Sequence, residues 1–173
     1  MPLQYNVSSL LKEPVGSTRE YDIEGRALIN EQSLAVRDVS GSARFLRTNE
    51  GILVSAEVQG VERDNCARCL REIEIPVALE FQEVFYPKSD IYTGARLPRP
   101  EDLDAFRIDE RQVLDLEEAI RQFWTVALPM QPLCRPDCRG LCPQCGKDWN
   151  EGGCDCAPLA DERWSALRAL RRK

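Results

Sequence analysis

Eight cysteines and no histidine constrain this chain of 173 residues more than any other feature. Six of the cysteines stand in one short segment, CRPDCRGLCPQCGKDWNEGGCDC at 134–156, and the other two belong to CARC at 66–69. An even number of closely spaced cysteines is typical of a disulfide framework or of a metal site, and the redox conditions around the protein decide between them.

The sequence indicates a reducing compartment. Its first twenty residues, MPLQYNVSSLLKEPVGSTRE, lack the basic region and the apolar run of a secretory signal peptide. No run of about 18 apolar residues occurs, so a membrane span or a membrane partner is not expected. We therefore expect a soluble, cytoplasmic protein, in which closely spaced cysteines favour metal ligation over structural disulfides.

The distribution of charge limits the kind of partner. A net charge of −6 argues against a protein that coats phosphate backbones over its whole surface, because such proteins are basic. Residues 134–173 carry eight Lys or Arg against six Asp or Glu, a net charge of +2, which leaves −8 on residues 1–133. Any contact with nucleic acid is therefore expected to be local, and the cysteine-rich end is the basic end.

The pattern of residues 1–133 predicts antiparallel strands. Partly alternating runs flank a glycine-containing turn at 49–51, which predicts a hairpin. After CARC, apolar residues fall at every second position, the period of a half-buried strand: Ile73, Ile75, Val77, Leu79 and Phe81. Pro76 cannot donate to a sheet ladder, so it indicates an edge or a bulge. Segment 86–106, rich in Pro, Asp and Gly, predicts a surface loop.

Two helices are predicted. The first covers residues 115–128, with Asp115 as its N-cap, Glu118 as the reciprocal partner of that cap and Pro129 at its end. The residues that form its apolar face are Leu116, Ile120, Phe123 and Ala127. The second helix is short and basic, and covers DERWSALRALRRK at the C-terminus.

These elements predict an α+β protein. It has a mainly antiparallel β-sheet body over residues 1–133, which includes the first helix. Residues 134–173 form a cysteine-rich zinc-binding region with the short basic helix. We expect this region to pack on the body as one structural unit.

The cysteines form four close pairs: Cys66 with Cys69, Cys134 with Cys138, Cys142 with Cys145, and Cys154 with Cys156. Two such pairs supply the four sulfur ligands of a tetrahedral zinc site, with Zn–S distances of about 2.3 Å. The simplest partition joins the last two pairs in one local site. The first two pairs then form a second site, which links the strand region to the segment after the main helix.

A competing partition joins the two middle pairs and leaves the outer pairs to form the other site. Under either partition the predicted cofactor is Zn²⁺, with about two ions per chain. An iron–sulfur cluster is the alternative, because ligation by cysteine alone does not separate the two.

Five basic residues lie within a few positions of the ligands: Arg68, Arg71, Arg135, Arg139 and Lys147. One predicted role is to compensate the formal charge of −2 that four thiolates give a zinc site. The other is contact with RNA phosphates, for which the forked guanidinium of arginine is suited. The candidate RNA-binding residues are Arg68, Arg139 and Lys147.

The sequence resembles a known family at these motifs. CARCL at 66–70, CRGLCPQCG at 138–146 and the amphipathic helix that ends in LP resemble the YceD family of bacterial and plastid proteins, the large ribosomal RNA subunit accumulation proteins. Within it, the chain is similar to the cysteine-rich bacterial branch. The resemblance implies a ribosome biogenesis factor that supports accumulation of large-subunit (23S) ribosomal RNA, with a metal-binding region. It implies large-subunit ribosomal RNA, ribosomal proteins or assembly factors as partners, and no small-molecule substrate.

Two other functions stay open at this point: a thiol oxidoreductase that uses CARC or CPQC, and a protein-interaction module that docks on a basic ribosomal protein. A redox Cys-x2-Cys pair needs a thiolate stabilised at a helix N-terminus, whereas CARC lies between predicted strands and CPQC lies in a loop. The lack of histidine removes the commonest general base. Glu117 and Glu118 are helix neighbours that point in different directions, so no catalytic dyad is expected. We therefore expect that the protein is not an enzyme.

Overall fold

The structure is a computed structural model that describes residues 3–30 and 35–156. The chain divides into two compact units, the first comprising Met1–Asp64 and Ile73–Pro132, the second Asn65–Glu72 and Leu133–Lys173. The predicted boundary after residue 133 places residues 65–72 in the β-sheet body. The structure groups them with the cysteine-rich region instead, because Cys66 and Cys69 lie beside cysteines of the later segment. The predicted C-terminal helix lies outside the described residues.

The elements follow one another as β1 (Gln4–Asn6), α1 (Ser8–Lys12), β2 (Thr18–Asn30), β3 (Ala35–Arg47), β4 (Ile52–Asn65), β5 (Glu72–Pro87), β6 (Arg107–Ile108), β7 (Val113–Asp115) and α2 (Glu117–Ala127). Five strands form one sheet in the order β2-β3-β4-β5-β6, and β1 pairs with β7 in a second, two-stranded sheet. β3 runs antiparallel to both of its neighbours, β2 and β4, whereas β6 joins β5 in parallel. The predicted α+β class with a mainly antiparallel sheet is confirmed.

The predicted hairpin is confirmed. β3 and β4 pair antiparallel, and Arg47 faces Ile52 at the closed end. Three hydrogen bonds between Thr48 and Gly51 hold the turn. The backbone N–H and the hydroxyl of Thr48 donate to the Gly51 carbonyl at 2.9 and 3.1 Å, and the Gly51 N–H donates to the Thr48 hydroxyl oxygen at 3.1 Å. Gly51 lies so near the neighbouring strand that a Cβ there would be 2.2 Å from the carbonyl oxygen of Phe85, so a side chain is excluded at this position.

The predicted half-buried strand is β5. Its alternate residues Val77, Leu79 and Phe81 are buried, and the residues between them are exposed, as the period of two requires. Among the described residues, β6 pairs with β5 only at Tyr86 and Pro87, near the end of β5. Pro76 lies ten residues earlier, where that side of β5 has no partner from β6, as predicted for a proline at an edge.

The loop predicted after β5 starts at residue 88 and runs to residue 106. Its first turn is organised by Asp90, whose carboxylate accepts hydrogen bonds from the backbone N–H groups of Tyr92 and Thr93 at 3.0 and 2.7 Å. These bonds lower the pKa of the Asp90 carboxyl, those from Thr93 most. Most of the segment is exposed, as predicted for a surface loop.

Helix α2 differs from the prediction at its start. Asp115 belongs to β7, so the helix begins at Glu117, although the Asp115 carboxylate accepts a bond of 2.9 Å from the Glu117 N–H as a cap would. The predicted reciprocal bond from Glu118 is not formed. Its carboxylate pairs with Arg121 one turn later at 2.6 Å, which lowers the pKa of Glu118.

The buried face of α2 also differs from the prediction. Ile120 is buried, and Leu116 is buried just before the first turn, but Ala127 is exposed. The largest buried side chain is Trp124, which the predicted face did not include. Phe123 is only partly buried, yet its ring stacks on that of Phe81 with centroids 4.7 Å apart.

One charged group is enclosed in this core. Glu62 is 7% exposed, and its carboxylate accepts a hydrogen bond of 2.9 Å from the indole N–H of Trp124 and pairs with the guanidinium of Arg37. Paired and hydrogen-bonded in this way, a carboxylate can be buried without the full cost of desolvation. Across residues 3–30 and 35–156, no helix has the length and apolar character needed to cross a membrane.

Candidate metal centre

Four cysteines from two distant segments converge in the second unit. We call this set tetrad A, and it consists of Cys66, Cys69, Cys134 and Cys138. All four sulfurs lie within 4.8 Å of one another; Cys66 Sγ is 3.8 Å from Cys138 Sγ, and Cys69 Sγ is 3.7 Å from Cys134 Sγ. A tetrahedron with metal–sulfur distances of about 2.3 Å has sulfur–sulfur edges of about 3.8 Å. The spacing is therefore that of ligands around one ion, and is far longer than a disulfide bond of about 2.05 Å.

The remaining cysteines form a second set of the same kind. We call it tetrad B, and it consists of Cys142, Cys145, Cys154 and Cys156, whose sulfurs also lie within 4.8 Å of one another. The two tetrads are the groups of the first predicted partition, and the partition that joins the two middle pairs is not observed. The tetrads differ in exposure: three ligands of tetrad A are buried, whereas Cys145 and Cys156 of tetrad B are exposed.

The first pair of each tetrad is held by the same backbone turn. In tetrad A, Cys66 N–H donates to the Arg71 carbonyl at 2.8 Å, and Leu70 N–H donates to the Cys66 carbonyl at 2.9 Å. In tetrad B, Cys142 makes the corresponding two bonds, both 2.9 Å, with Lys147 and Gly146. CARCLR at 66–71 and CPQCGK at 142–147 therefore form equivalent turns.

The equivalence extends to the residue after the second cysteine. Leu70 has φ of 58° and Gly146 has φ of 71°, so both adopt the left-handed conformation that points the turn toward the sulfurs. Gly146 is the residue type that this conformation favours, whereas Leu70 is not. A leucine has a steric cost in that conformation that glycine does not, so Leu70 is held there by the surrounding hydrogen bonds.

The buried apolar side chains in the described part of the second unit are all cysteines. Within its described residues, 65–72 and 133–156, the buried apolar side chains are Cys66, Cys69, Cys138 and Cys142. The hydrophobic core cluster of the protein is formed by residues of the first unit. Residues 65–72 and 133–156 thus contain no aliphatic or aromatic core, and a segment of this size without one needs cross-links or metal ions to hold its fold.

Within each tetrad, the surroundings of the sulfurs lower the pKa of one thiol and raise that of another. The backbone N–H of Cys69 lowers the pKa of Cys66 to about 6, and burial raises the pKa of Cys134 to about 12. In tetrad B the indole N–H of Trp149 lowers the pKa of Cys154 to about 6, and the neighbouring Cys145 raises the pKa of Cys156 to about 12. A cation that displaced the remaining protons would let all four sulfurs of a tetrad bind as thiolates.

Two side chains from the loop between the last cysteine pairs donate to sulfur. Asn150 Nδ2 lies 3.4 Å from Cys138 Sγ in tetrad A, and Trp149 Nε1 lies 3.5 Å from Cys154 Sγ in tetrad B. The amide oxygen of Asn150 in turn accepts a bond of 2.9 Å from the backbone N–H of Arg139. In this loop the sequence pointed only to Lys147, as a candidate RNA-binding residue. A tryptophan and an asparagine beside a ligand pair are the residues that could have indicated the interaction, since each carries an N–H donor.

The basic residues near the ligands fall into two groups. Arg71 faces two carboxylates, Asp148 at 3.5 Å and Glu151 at 3.4 Å, and Arg135 pairs with Asp137 at 3.4 Å. These two arginines therefore act within the unit, on its own carboxylates.

The three candidate RNA-binding residues form the other group. Arg68, Arg139 and Lys147 are exposed, and none makes an ion pair with a carboxylate of the described residues. Arg68 donates to the Cys138 carbonyl at 2.8 Å, and Lys147 Nζ donates to the Gly153 carbonyl at 2.7 Å. Both side chains are thus positioned by neutral carbonyl groups, and no carboxylate of the described residues pairs with their positive charge.

Fold and site together define the class of protein: a mainly antiparallel β-sheet unit joined to a unit with two four-cysteine centres of metal-binding geometry. The profile of the YceD family, described as "Large ribosomal RNA subunit accumulation protein YceD", matches residues 54–171. The chain belongs to this family, as the resemblance of its cysteine motifs implied.

The relatives found by sequence comparison are mycobacterial. The chain is similar to uncharacterised proteins of Mycobacterium tuberculosis and Mycobacterium bovis, each 35% identical over 125 residues that cover 72% of this chain and 58% of the relative. A protein of Mycobacterium leprae is 32% identical over 104 residues, which cover 60% of this chain and 45% of the relative. The chain thus spans about half the length of the curated relatives it matches. No solved structure matches it.

Proposed function

We propose that this protein is a cytoplasmic ribosome biogenesis factor that supports accumulation of large-subunit (23S) ribosomal RNA, with two structural zinc ions and no catalytic activity. Membership in the YceD family supports a role in ribosomal RNA accumulation. The observation that carries the finer proposal is the pair of four-cysteine tetrads, which hold uncompensated basic side chains in place beside them.

The geometry favours zinc over an iron–sulfur cluster. Sulfur–sulfur distances of 3.7 and 3.8 Å in tetrad A suit four ligands on a single ion. In a cluster, the cysteines bind different iron atoms and their sulfurs lie farther apart. Zn²⁺ is the common choice for a closed tetrahedral site of four thiolates, and such a site leaves no ligand position open for a reaction.

The contacts with RNA are assigned to Arg68, Arg139 and Lys147. Arg71 and Arg135 neutralise carboxylates of the unit itself, so they are not available for phosphates. The other three keep their charge at the surface, and a protein with net charge −6 needs such a local basic set to approach RNA.

A second candidate function is docking on a basic ribosomal protein, and the β-sheet of the first unit favours it. The exposed side of that sheet carries the acidic residues Glu20, Asp22, Glu24, Glu57 and Glu80. The strand register brings Asp22 and Glu57 to opposite sides of Ser42, so the charges lie on adjacent strands. Such a face attracts a basic surface.

The test is sedimentation of cell extracts through sucrose gradients, with zinc analysis of the purified protein. We expect two zinc ions per chain and co-migration with precursors of the large subunit. Changing Arg68, Arg139 and Lys147 together to Gln should abolish co-migration and leave the zinc content unchanged. Free sedimentation of the unmodified protein, away from precursors, would contradict the proposed role.

Two further variants separate the candidates. R26Q/R44Q removes exposed positive charge from the sheet and serves as the control, and it should not reduce co-migration. E20K/D22K reverses charge on the acidic face. If E20K/D22K abolishes co-migration and the arginine and lysine changes do not, the partner is a basic protein and the assignment to RNA is wrong.

A further inference from the structure

A groove in the second unit brings the metal tetrads, two arginines and a tryptophan together. It has a volume of about 590 Å³, and its walls include Arg68, Arg139 and Trp149 together with Cys138 of tetrad A and Cys154 and Cys156 of tetrad B. This volume lies within the range of sites that take small molecules.

Arg68 is fixed on the wall of this groove. Its guanidinium donates to the Cys138 carbonyl at 2.8 Å, and its own carbonyl accepts from Leu141 N–H at 3.2 Å. Gly140 packs against it so closely, at φ of 75°, that a Cβ there would lie 3.0 Å from the Arg68 carbonyl oxygen. Arg68 therefore presents its charge with little conformational entropy left to lose on binding.

Arg139 supplies a second positive charge to the groove. The amide of Asn150 holds its backbone N–H at 2.9 Å, and its side chain is exposed without a carboxylate partner in the described part of the chain. Asn150 and Trp149 supply the side-chain N–H donors to the sulfurs of the two tetrads, so neither guanidinium group is used for that purpose. The two guanidinium groups are thereby left for an anion from outside.

Trp149 provides an aromatic surface in the same groove as the two arginines. Its backbone N–H donates to the Gly140 carbonyl at 2.9 Å, and its indole N–H points to Cys154 Sγ at 3.5 Å, so the ring is held from both ends. The ring is half-buried, and no other aromatic ring of the described residues stacks on it. A fixed indole beside unpaired arginines is the arrangement that binds single-stranded nucleic acid, because it accepts a base on the ring and phosphates on the guanidinium groups.

We propose that this groove binds one unstacked nucleotide of a single-stranded RNA segment, with the base on Trp149 and the flanking phosphates on Arg68 and Arg139. The inference rests on the proposed function and deepens it, since it specifies unpaired RNA as the form that is recognised. A duplex keeps its bases stacked inside and cannot offer one to the ring. Lys147 does not line the groove and is not part of this site.

The test uses the full-length, zinc-loaded protein and a fluorescein-labelled 12-nucleotide oligouridine, alone or in a duplex with oligoadenosine. Fluorescence anisotropy should show binding of the single strand at least tenfold tighter than of the duplex. W149L should weaken binding of the single strand about tenfold or more, since it removes the stacking surface. W149F, which keeps a ring but loses the N–H donor to Cys154, should bind within about threefold of the unmodified protein.

The arginines are tested by salt dependence. R68Q/R139Q should lower the slope of log affinity against log salt by about 1.4, which corresponds to two phosphate contacts on a single strand. R26Q/R44Q removes the same charge from the other unit and should leave the slope unchanged. Zinc content is measured for each variant and should stay at two ions per chain.

Some outcomes would overturn the proposal. Equal binding by W149L and the unmodified protein would exclude stacking, and parallel losses of zinc and RNA binding in W149F and W149L would reduce Trp149 to a support for tetrad B. A probe with one 2-aminopurine base gives a readout on the unmodified protein, and unchanged fluorescence on binding would refute stacking.

If the protein co-migrates with large-subunit precursors but does not bind the oligonucleotide, this inference fails and the proposed function survives. If it binds the oligonucleotide but does not co-migrate, the groove is supported and the proposed function fails.

Discussion

Tetrad A closes a far longer loop of chain than tetrad B, and this difference predicts their relative contributions to stability. Cys69 and Cys134 are 65 positions apart, and the chain between them contains residues 73–132 of the first unit. Cys145 and Cys154 of tetrad B are 9 positions apart. An unfolded chain can therefore still gather the ligands of tetrad B at a modest entropic cost, whereas gathering those of tetrad A costs more.

The size of the difference follows from the loop lengths. Loop-closure entropy scales as (3/2)RT ln n, so the two loops differ by about 1.8 kcal/mol at 25 °C. Because metal bound by the unfolded chain reduces the stabilisation of the folded one, tetrad A should stabilise the protein by that much more than tetrad B. With an m-value of about 2 kcal/mol per molar urea, the unfolding midpoints of the two corresponding variants should differ by about 1 M.

The perturbation is one ligand from each tetrad, C134S and C145S. Cys134 is half-buried and Cys145 is exposed, so neither change opens a cavity in a packed core. Urea unfolding is followed by circular dichroism of the β-sheet in excess zinc, and C134S should unfold at the lower urea concentration. In excess chelator the two variants and the unmodified protein should coincide.

The chelator measurement is the control for effects of serine itself, because the sites no longer bind metal and only the side-chain change remains. A C145S variant that is as unstable as C134S in zinc would refute the argument from loop length. A difference between the urea midpoints of the two variants that persists in chelator would also refute it.

Three further predictions concern other parts of the molecule. Glu62→Ala removes the carboxylate that accepts from Trp124 and pairs with Arg37, and should lower the free energy of unfolding by about 3 kcal/mol in urea titrations. Gly140→Ala should loosen tetrad A and lower its zinc affinity, because φ is 75° and the new Cβ would lie 3.0 Å from the Arg68 carbonyl oxygen. Gly146→Ala, at φ of 71° with no atom within 4 Å, is the matched control for backbone strain alone. When a chelator is added, zinc should leave the protein in two kinetic phases, the first from tetrad B because Cys145 and Cys156 are exposed. C145S should remove the fast phase, and a single phase in the unmodified protein would contradict this order.

The features that sequence predicted are those fixed over short distances along the chain. The alternation in β5 and the hairpin at 49–51 depend on neighbouring residues, so their patterns are visible before folding. The partition of cysteines into tetrads was predictable for a related reason. The cysteines of tetrad B lie close together in the sequence, and once they are grouped, the four remaining cysteines can only form the other tetrad.

The start of α2 was mispredicted because a distant strand decides it. Asp115 is a good N-cap by its side chain, but Val113–Asp115 pairs with Gln4–Asn6, more than a hundred positions away in the sequence. That pairing holds Asp115 in a strand and moves the first helical residue to Glu117. Helical periodicity alone likewise could not show that Trp124 would be buried with its N–H on Glu62, since the acceptor lies on β4.

The features that sequence missed in the second unit are likewise contacts between segments. Leu70 has no property that marks it for a left-handed turn; only the equivalence of its turn with the one at Gly146 explains the conformation. Trp149 and Asn150 gain their roles from sulfurs of cysteines that the fold brings next to them. These roles depend on three-dimensional contacts that spacing does not specify.

The described residues of the second unit lack an aliphatic core, so the surface that they form depends on the two cysteine tetrads. The first unit packs its core from side chains such as Trp124 and Phe45, so we expect it to fold without a bound ion. In the second unit the buried apolar side chains of the described residues are cysteines, so we expect the positions of Arg68 and Arg139 to depend on metal ligation. Removing the metal would release both arginines from the geometry that sets them beside Trp149, while the β-sheet stayed folded. Zinc in this protein would thus act on RNA recognition without contacting RNA, by holding a small basic and aromatic surface in one arrangement on an otherwise acidic chain.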